Sequence, residues 1–106
     1  MPLPTLTHLQ FLVIAELLRG AARGRDLRTR LRAAGVRQSG PGFYQMMATL
    51  EDAGFVSGRY EQQIVDGQII RERHYKVLAS GMTAWKTSRD FYQRTTARRS
   101  DLAHGT

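Results

Sequence analysis

The sequence predicts an α+β fold, mostly helical, in which three helices lead into a two-stranded hairpin and a long closing helix. Three observations carry this. In the first half, apolar residues recur at helical spacing in three segments, ended by Gly20, Gly35 and Gly54. The period then becomes alternating on either side of Asp66-Gly67, the dipeptide that two-residue hairpin turns favour. After Leu78 the helical period returns and holds to about Arg98.

The first helix is expected over residues 5–18. Leu6, Leu9, Phe11, Leu12, Val13, Ile14, Leu17 and Leu18 leave it almost no polar side, so it should be buried against both a core and a partner subunit. The second, over 25–34, turns Leu27, Leu31 and Ala34 inward and its arginines outward, with Val36 a core residue in the turn that follows. In the third, Pro41 suits the first turn and Ser39 or Gly40 can cap it. Phe43, Met46 or Met47, Leu50 and Ala53 form its buried face, and its front is short and uncharged, made of Gly42, Gln45, Ala48 and Thr49. A two-residue turn at Asp66-Gly67 pairs Ile64 with Ile69, Gln62 with Arg71, Tyr60 with Arg73 and Arg59 with His74. Glu61 then faces Glu72, a repulsion that splaying into solvent or toward cations would relieve. The closing helix carries Met82, Trp85, Arg89 and Tyr92 on one stripe, widened by Ala84 and Phe91. Residues 99–106 show no apolar pattern and are expected as a disordered tail.

With 106 residues there is room for one domain. No stretch approaches the ~20 apolar residues of a membrane span. The apolar run Leu9–Leu18 is broken by Gln10 and Glu16 and lacks a basic leader, which argues against a signal peptide. The absence of cysteine excludes a disulfide framework and a thiolate metal site, and it fits a reducing cytoplasm. Catalysis finds no support. His8, His74 and His104 lack metal-ligand spacing, Glu51 and Asp52 are adjacent rather than opposed, and Gly40-Pro41-Gly42 lacks the lysine of a phosphate loop. No enzyme activity, metal or cofactor is therefore expected.

The charge balance, 16 Lys+Arg against 9 Asp+Glu, gives a net +7. Two of the sixteen are lysines, leaving fourteen arginines, and seven of these (Arg19, Arg23, Arg25, Arg28, Arg30, Arg32 and Arg37) fall within nineteen residues opposed only by Asp26. A small domain this basic suits a polyanion, whose counterions are released on binding. A helix pair joined through a glycine turn and followed by a two-stranded ribbon is the winged helix-turn-helix arrangement. In it the first helix of the pair crosses the DNA backbone and the second enters the major groove. Arg28 and Arg37 are then placed for phosphates, with Arg19 peripheral. Gln45 can read an adenine edge, while Ala48 and Thr49 can touch a thymine methyl. Gly42 lets the helix approach closely, and Arg59, Arg71 and Arg73 on the wing reach phosphate or the minor groove. Glu51 and Asp52 must point away.

These residues resemble the PadR-like transcriptional regulators. The family's recognition segment reads Ser-x-Gly-x-Leu-Tyr-x-x-Leu-x-x-Leu-Glu-x-x-Gly-Leu-Ile, and this chain has Ser39, Phe43-Tyr44, Met47, Leu50-Glu51 and Gly54-Phe55-Val56 in register. The family's Tyr-x-Leu-Thr-x-x-Gly after a basic hairpin is met by Tyr75-Lys76-Val77-Leu78-Ala79-Ser80-Gly81. Pro41-Gly42 departs from the usual Gly-Thr, and Leu78 replaces a capping threonine, leaving Ser80 as the nearest cap. The resemblance implies a DNA-binding domain over 1–78 and a dimerisation helix over 79–98, as in the short members that lack a long C-terminal helical domain. It adds Tyr44, packed where helix meets wing. It also implies a homodimer on an inverted repeat of double-stranded DNA, acting as a repressor in a bacterial cytoplasm, at the nucleoid. Leu9, Leu12, Met82, Trp85, Phe91 and Tyr92 are the expected dimer interface, where a flat small-molecule effector could also lodge. The alternative is a winged helix that binds a protein, its groove-facing helix too poor in basic residues for DNA.

Overall fold

The structure is a computed structural model that describes residues 5–104, with side chains over 5–96. Helix α1 (His8–Leu17) is followed by a short strand β1 (Ala22–Arg23), helices α2 (Gly24–Ala33) and α3 (Gly40–Asp52), strands β2 (Val56–Val65) and β3 (Gln68–Val77), and helix α4 (Ala79–His104). The sheet is antiparallel in the order β1-β3-β2. The architecture is thus the expected α+β winged helix, with one strand more than the sequence reading supplied.

Local chemistry sets the boundaries. α1 starts at His8 rather than at residue 5 because Thr7 and Gln10 form a reciprocal capping box. The Gln10 N–H donates to Thr7 Oγ1 (3.1 Å) and the Thr7 N–H to Gln10 Oε1 (3.0 Å). At α3, Ser39 is the cap and accepts from the Gly42 N–H at 3.1 Å, with Pro41 in the first turn. Gly54 takes φ +78° immediately after the α3 C-cap, a conformation that favours glycine. Ala34 and Ala53, expected inward, occupy the C-cap positions of α2 and α3 and are exposed.

The hairpin follows the turn rule. Asp66 and Gly67 both have positive φ, +52° and +77°, as a type I′ turn requires. The register is the expected one from Val56–Val77 out to Val65–Gln68. Strand β1, too short for a periodic signal, adds Ala22 opposite Tyr75 and Arg23 opposite His74.

One core lies between α1, α2, α3 and the sheet's inner end. Val13, Ile14 and Leu17 of α1 meet Leu27 and Leu31 of α2, Phe43, Met47 and Leu50 of α3, and Val56 and Tyr75 of the sheet. The remaining apolar residues of α1, including Leu9, Phe11 and Leu12, are half-buried in the single chain.

The root of α4 is fixed against the end of α3. Ser80 does not cap the helix. Its hydroxyl donates instead to the Gly54 carbonyl, and the helix is opened by the Leu78 carbonyl, which accepts from the Met82 N–H at 3.0 Å. The Leu78 N–H donates to the Phe55 carbonyl at 2.9 Å, and a Cβ on Gly81 would lie 2.1 Å from that same oxygen. α4 continues beyond the end expected near Arg98 to His104. The rest of the expected tail, Gly105 and Thr106, lies outside the described residues.

Candidate nucleic-acid interface

The front of α3 stands in solvent as a short-side-chain surface. Gln45, Ala48 and Thr49 are exposed, and Gly42 is half-buried. The Thr49 hydroxyl donates to the Gln45 carbonyl at 3.1 Å, which uses its proton and leaves its oxygen to accept only. A Cβ at Gly42 would lie 2.9 Å from Ser39 Oγ, the atom that caps the helix. Glycine at this position leaves the capping hydroxyl uncrowded.

Cations surround the positive end of α3. Arg28, half-buried, places its guanidinium 3.4 Å from where a Gly40 Cβ would be, over the helix's first turn. Arg32, Gly35, Arg37, Gln38 and Ser39 line an open concavity of about 610 Å³ beside the same turn. Arg30, Arg32 and Arg37 are exposed. A guanidinium at a helix N-terminus adds to the partial positive charge already there, so the combined field favours an anion.

Where α3 meets the ribbon, charges are arranged differently. Arg73 donates to the Glu51 carboxylate and to the Gly58 carbonyl (3.3 Å). The hydrogen bond to Glu51 raises the Arg73 pKa above its ordinary value against the opposing effect of burial. Gly58 makes room for this pair, since a Cβ there would lie 2.2 Å from Glu51 Oε1. Arg71 and Arg73 both stack on the Tyr60 ring, at 4.6 and 4.7 Å. Tyr75 beneath them is pushed up to about 12, first by burial and then by the Glu51 charge. Arg25, Tyr44, Tyr60, Arg71, Glu72 and Arg73 line a cleft of about 260 Å³ at this junction. Tyr44 packs edge-on to Phe43, and a Cβ on Gly24 would lie 3.0 Å from its hydroxyl.

The opposed glutamates are both relieved by cations. Glu61 pairs with Arg59 at 2.8 Å and lies 3.2 Å from His74 Nε2, while Glu72 lies 3.4 Å from Arg23 and 4.0 Å from Arg25. The structure thus brings Arg28 and Arg37 to the first turn of α3, and Tyr44, Arg71 and Arg73 together in the cleft between α3 and the ribbon, with Arg59 on the opposite face of the ribbon. Sequence reasoning missed Glu51, Gly58 and Glu72 as organising residues. Each acts across elements, and only the hairpin register hinted at where they would meet.

The aromatic stripe of α4 is engaged within the chain. Trp85 stacks on Phe11 at 5.5 Å with planes 7° apart, and Tyr92 meets Phe11 (5.5 Å) and His8 (6.2 Å) edge-on. Phe91 lies edge-on to Tyr92 at 5.8 Å, and Arg89 covers Trp85 at 5.4 Å. Met82 is 40% exposed, and Leu9 and Leu12 remain half-covered.

No family model and no curated protein sequence matches the chain. Solved structures do. A PadR family transcriptional regulator from Eggerthella lenta superposes with a TM-score of 0.71 at 19% identity, covering 92% of this chain and 83% of that one. A PadR-like transcription factor from Bacteroides fragilis gives 0.73 at 15% identity, covering 89% and 88%. A Streptococcus mutans protein gives 0.72 at 18%, covering 99% and 95%. In fold, the chain is a winged helix similar to these PadR-like proteins. No helix among the described residues is long and apolar enough to cross a membrane.

Proposed function

We propose that this chain is a sequence-specific DNA-binding transcriptional regulator, a repressor that acts as a homodimer on an inverted repeat. The observation that carries the reading is the pairing of an uncharged, exposed α3 front with unneutralised arginines around the same helix's N-terminus. Arg28, Arg32 and Arg37 hold phosphates, Gln45 and Thr49 meet the bases, and Ala48 and Gly42 allow close approach. Residues 1–78 form the DNA-binding part and α4 over 79–98 the dimerisation helix. A flat effector would bind beside the α1–α4 aromatic layer. The setting is the bacterial cytoplasm, at the nucleoid. Two-fold symmetry places the two α3 helices ~34 Å apart, one turn of DNA.

The test is a salt titration of binding to a duplex from upstream of the chain's own gene. Three arginines per subunit, six in a dimer, predict a log–log slope of about −5. A slope near zero, with a protein partner recovered in place of DNA, would instead identify a protein-binding winged helix.

A further inference from the structure

The outer end of the ribbon carries an apolar pair that the folded chain does not cover. Ile64 is 79% exposed and Ile69 70% exposed, and they are direct cross-strand partners beside the Asp66-Gly67 turn. Val65, 43% exposed, adjoins them. Two β-branched apolar residues at a projecting tip contribute nothing to the core and leave an apolar surface open to a partner.

Their position says where. Opposed residues share a face of an antiparallel ribbon and alternate residues return to it. Tyr60, Gln62 and Ile64, with partners Arg73, Arg71 and Ile69, therefore form one face. Arg73 reaches Glu51 of α3 from this face, so it is the face turned toward the recognition helix. Between that anchor and the tip it carries Tyr60, Gln62 and Arg71 and no carboxylate. At ~3.3 Å per residue, the isoleucines stand about 13 Å beyond Tyr60. A cationic and amide-bearing stem ending in an apolar pair is complementary to a phosphate-walled groove with stacked bases at its floor.

We propose that Ile64 and Ile69 form a paired wedge, inserted by the ribbon into the DNA minor groove beside the site held by α3, where it opens a base step and bends the duplex. This inference rests on the DNA-binding reading above. Apolar side chains inserted at a base step bend DNA by about 20–90°.

The test uses duplexes selected from a random-sequence pool by the full-length chain, with bending read by circular-permutation electrophoresis. The native chain should bend its selected duplex. The Ile64→Ser/Ile69→Ser variant should bind about tenfold more weakly and leave the duplex straight, with its unfolding midpoint unchanged because both positions are exposed. Ile64→Leu/Ile69→Leu should retain the bend. A selected duplex that stays straight with the native chain overturns the wedge and leaves the DNA-binding reading standing. So does a bend that persists in the serine variant. If that persistence comes with a change of oligomeric state in sedimentation, a second copy covers the pair instead. Failure to retain any duplex overturns both readings.

Discussion

On the ribbon, arginines are tied down. Arg73 is bound to Glu51 and Gly58, Arg59 to Glu61, and Arg71 lies on the Tyr60 ring. Around α2 and the turn to α3, Arg30, Arg32 and Arg37 are exposed, and among the described residues no carboxylate comes within ion-pairing distance of them or of Arg28. The same residue type therefore serves two ends. On the ribbon, Arg73 ties the hairpin to α3 through Glu51, while Arg59 and Arg71 are held by partners within the ribbon itself. Those at the turn keep their charge for a partner.

Breaking the fixed group should show most strongly as lost stability. Arg73→Met removes a charged hydrogen bond and leaves Glu51 part-buried and unpaired, at a cost of about 2 kcal/mol in urea unfolding. Glu51→Gln on top of it should cost little more, because the pair acts as a unit. Gln45→Ala comes next and should leave stability unchanged. It should cut the preference for operator over random DNA by about 1–2 kcal/mol, measured by competition. Arg37→Ala should have a smaller and uniform effect. Binding to operator and random DNA should weaken alike, the salt slope should fall by about one per subunit, and stability should shift by less than ~0.5 kcal/mol. Matching losses of specificity from Arg37→Ala and Gln45→Ala would erase the proposed division between them.

The smallest effect at neutral pH belongs to Tyr75→Phe. The Tyr75 phenol is raised in the folded chain from 10.0 to about 12, so its protonated form is the one the fold favours. Its contribution is fully present below pH 10 and is lost as pH rises through 12. The native chain should lose stability across that window, and the Phe variant should show a flatter profile in alkaline unfolding curves.

Much of this was legible in the sequence because the signals were local. The α3 cap, the glycine stop at Gly54 and the Asp66-Gly67 turn are each set by neighbours within a few residues, and the turn alone dictated the full register. The α3 front was legible too, since its exposure follows from the burial of Phe43, Met47 and Leu50 on the other side. What escaped was long-range. β1 has two residues and exists only because β3 is beside it. Glu51 is a favourable helix residue in the sequence, and its partner lies twenty-two positions away. The stacking of Trp85 on Phe11 also escaped, because the sequence does not disclose which side of α4 meets α1.

The close seat of Gly81 on the Phe55 carbonyl has a mechanical consequence. With Leu78 and Ser80 bonded to Phe55 and Gly54, the base of α4 is clamped two to three residues past the end of α3. α4 is 26 residues long, which at 1.5 Å per residue makes an arm of about 39 Å. In a dimer joined through that arm, tilting it would carry α3 along. In the proposed dimer, the separation of the two α3 helices would then be set by how the two arms cross, and an effector lodged at their crossing would act by leverage, without touching DNA.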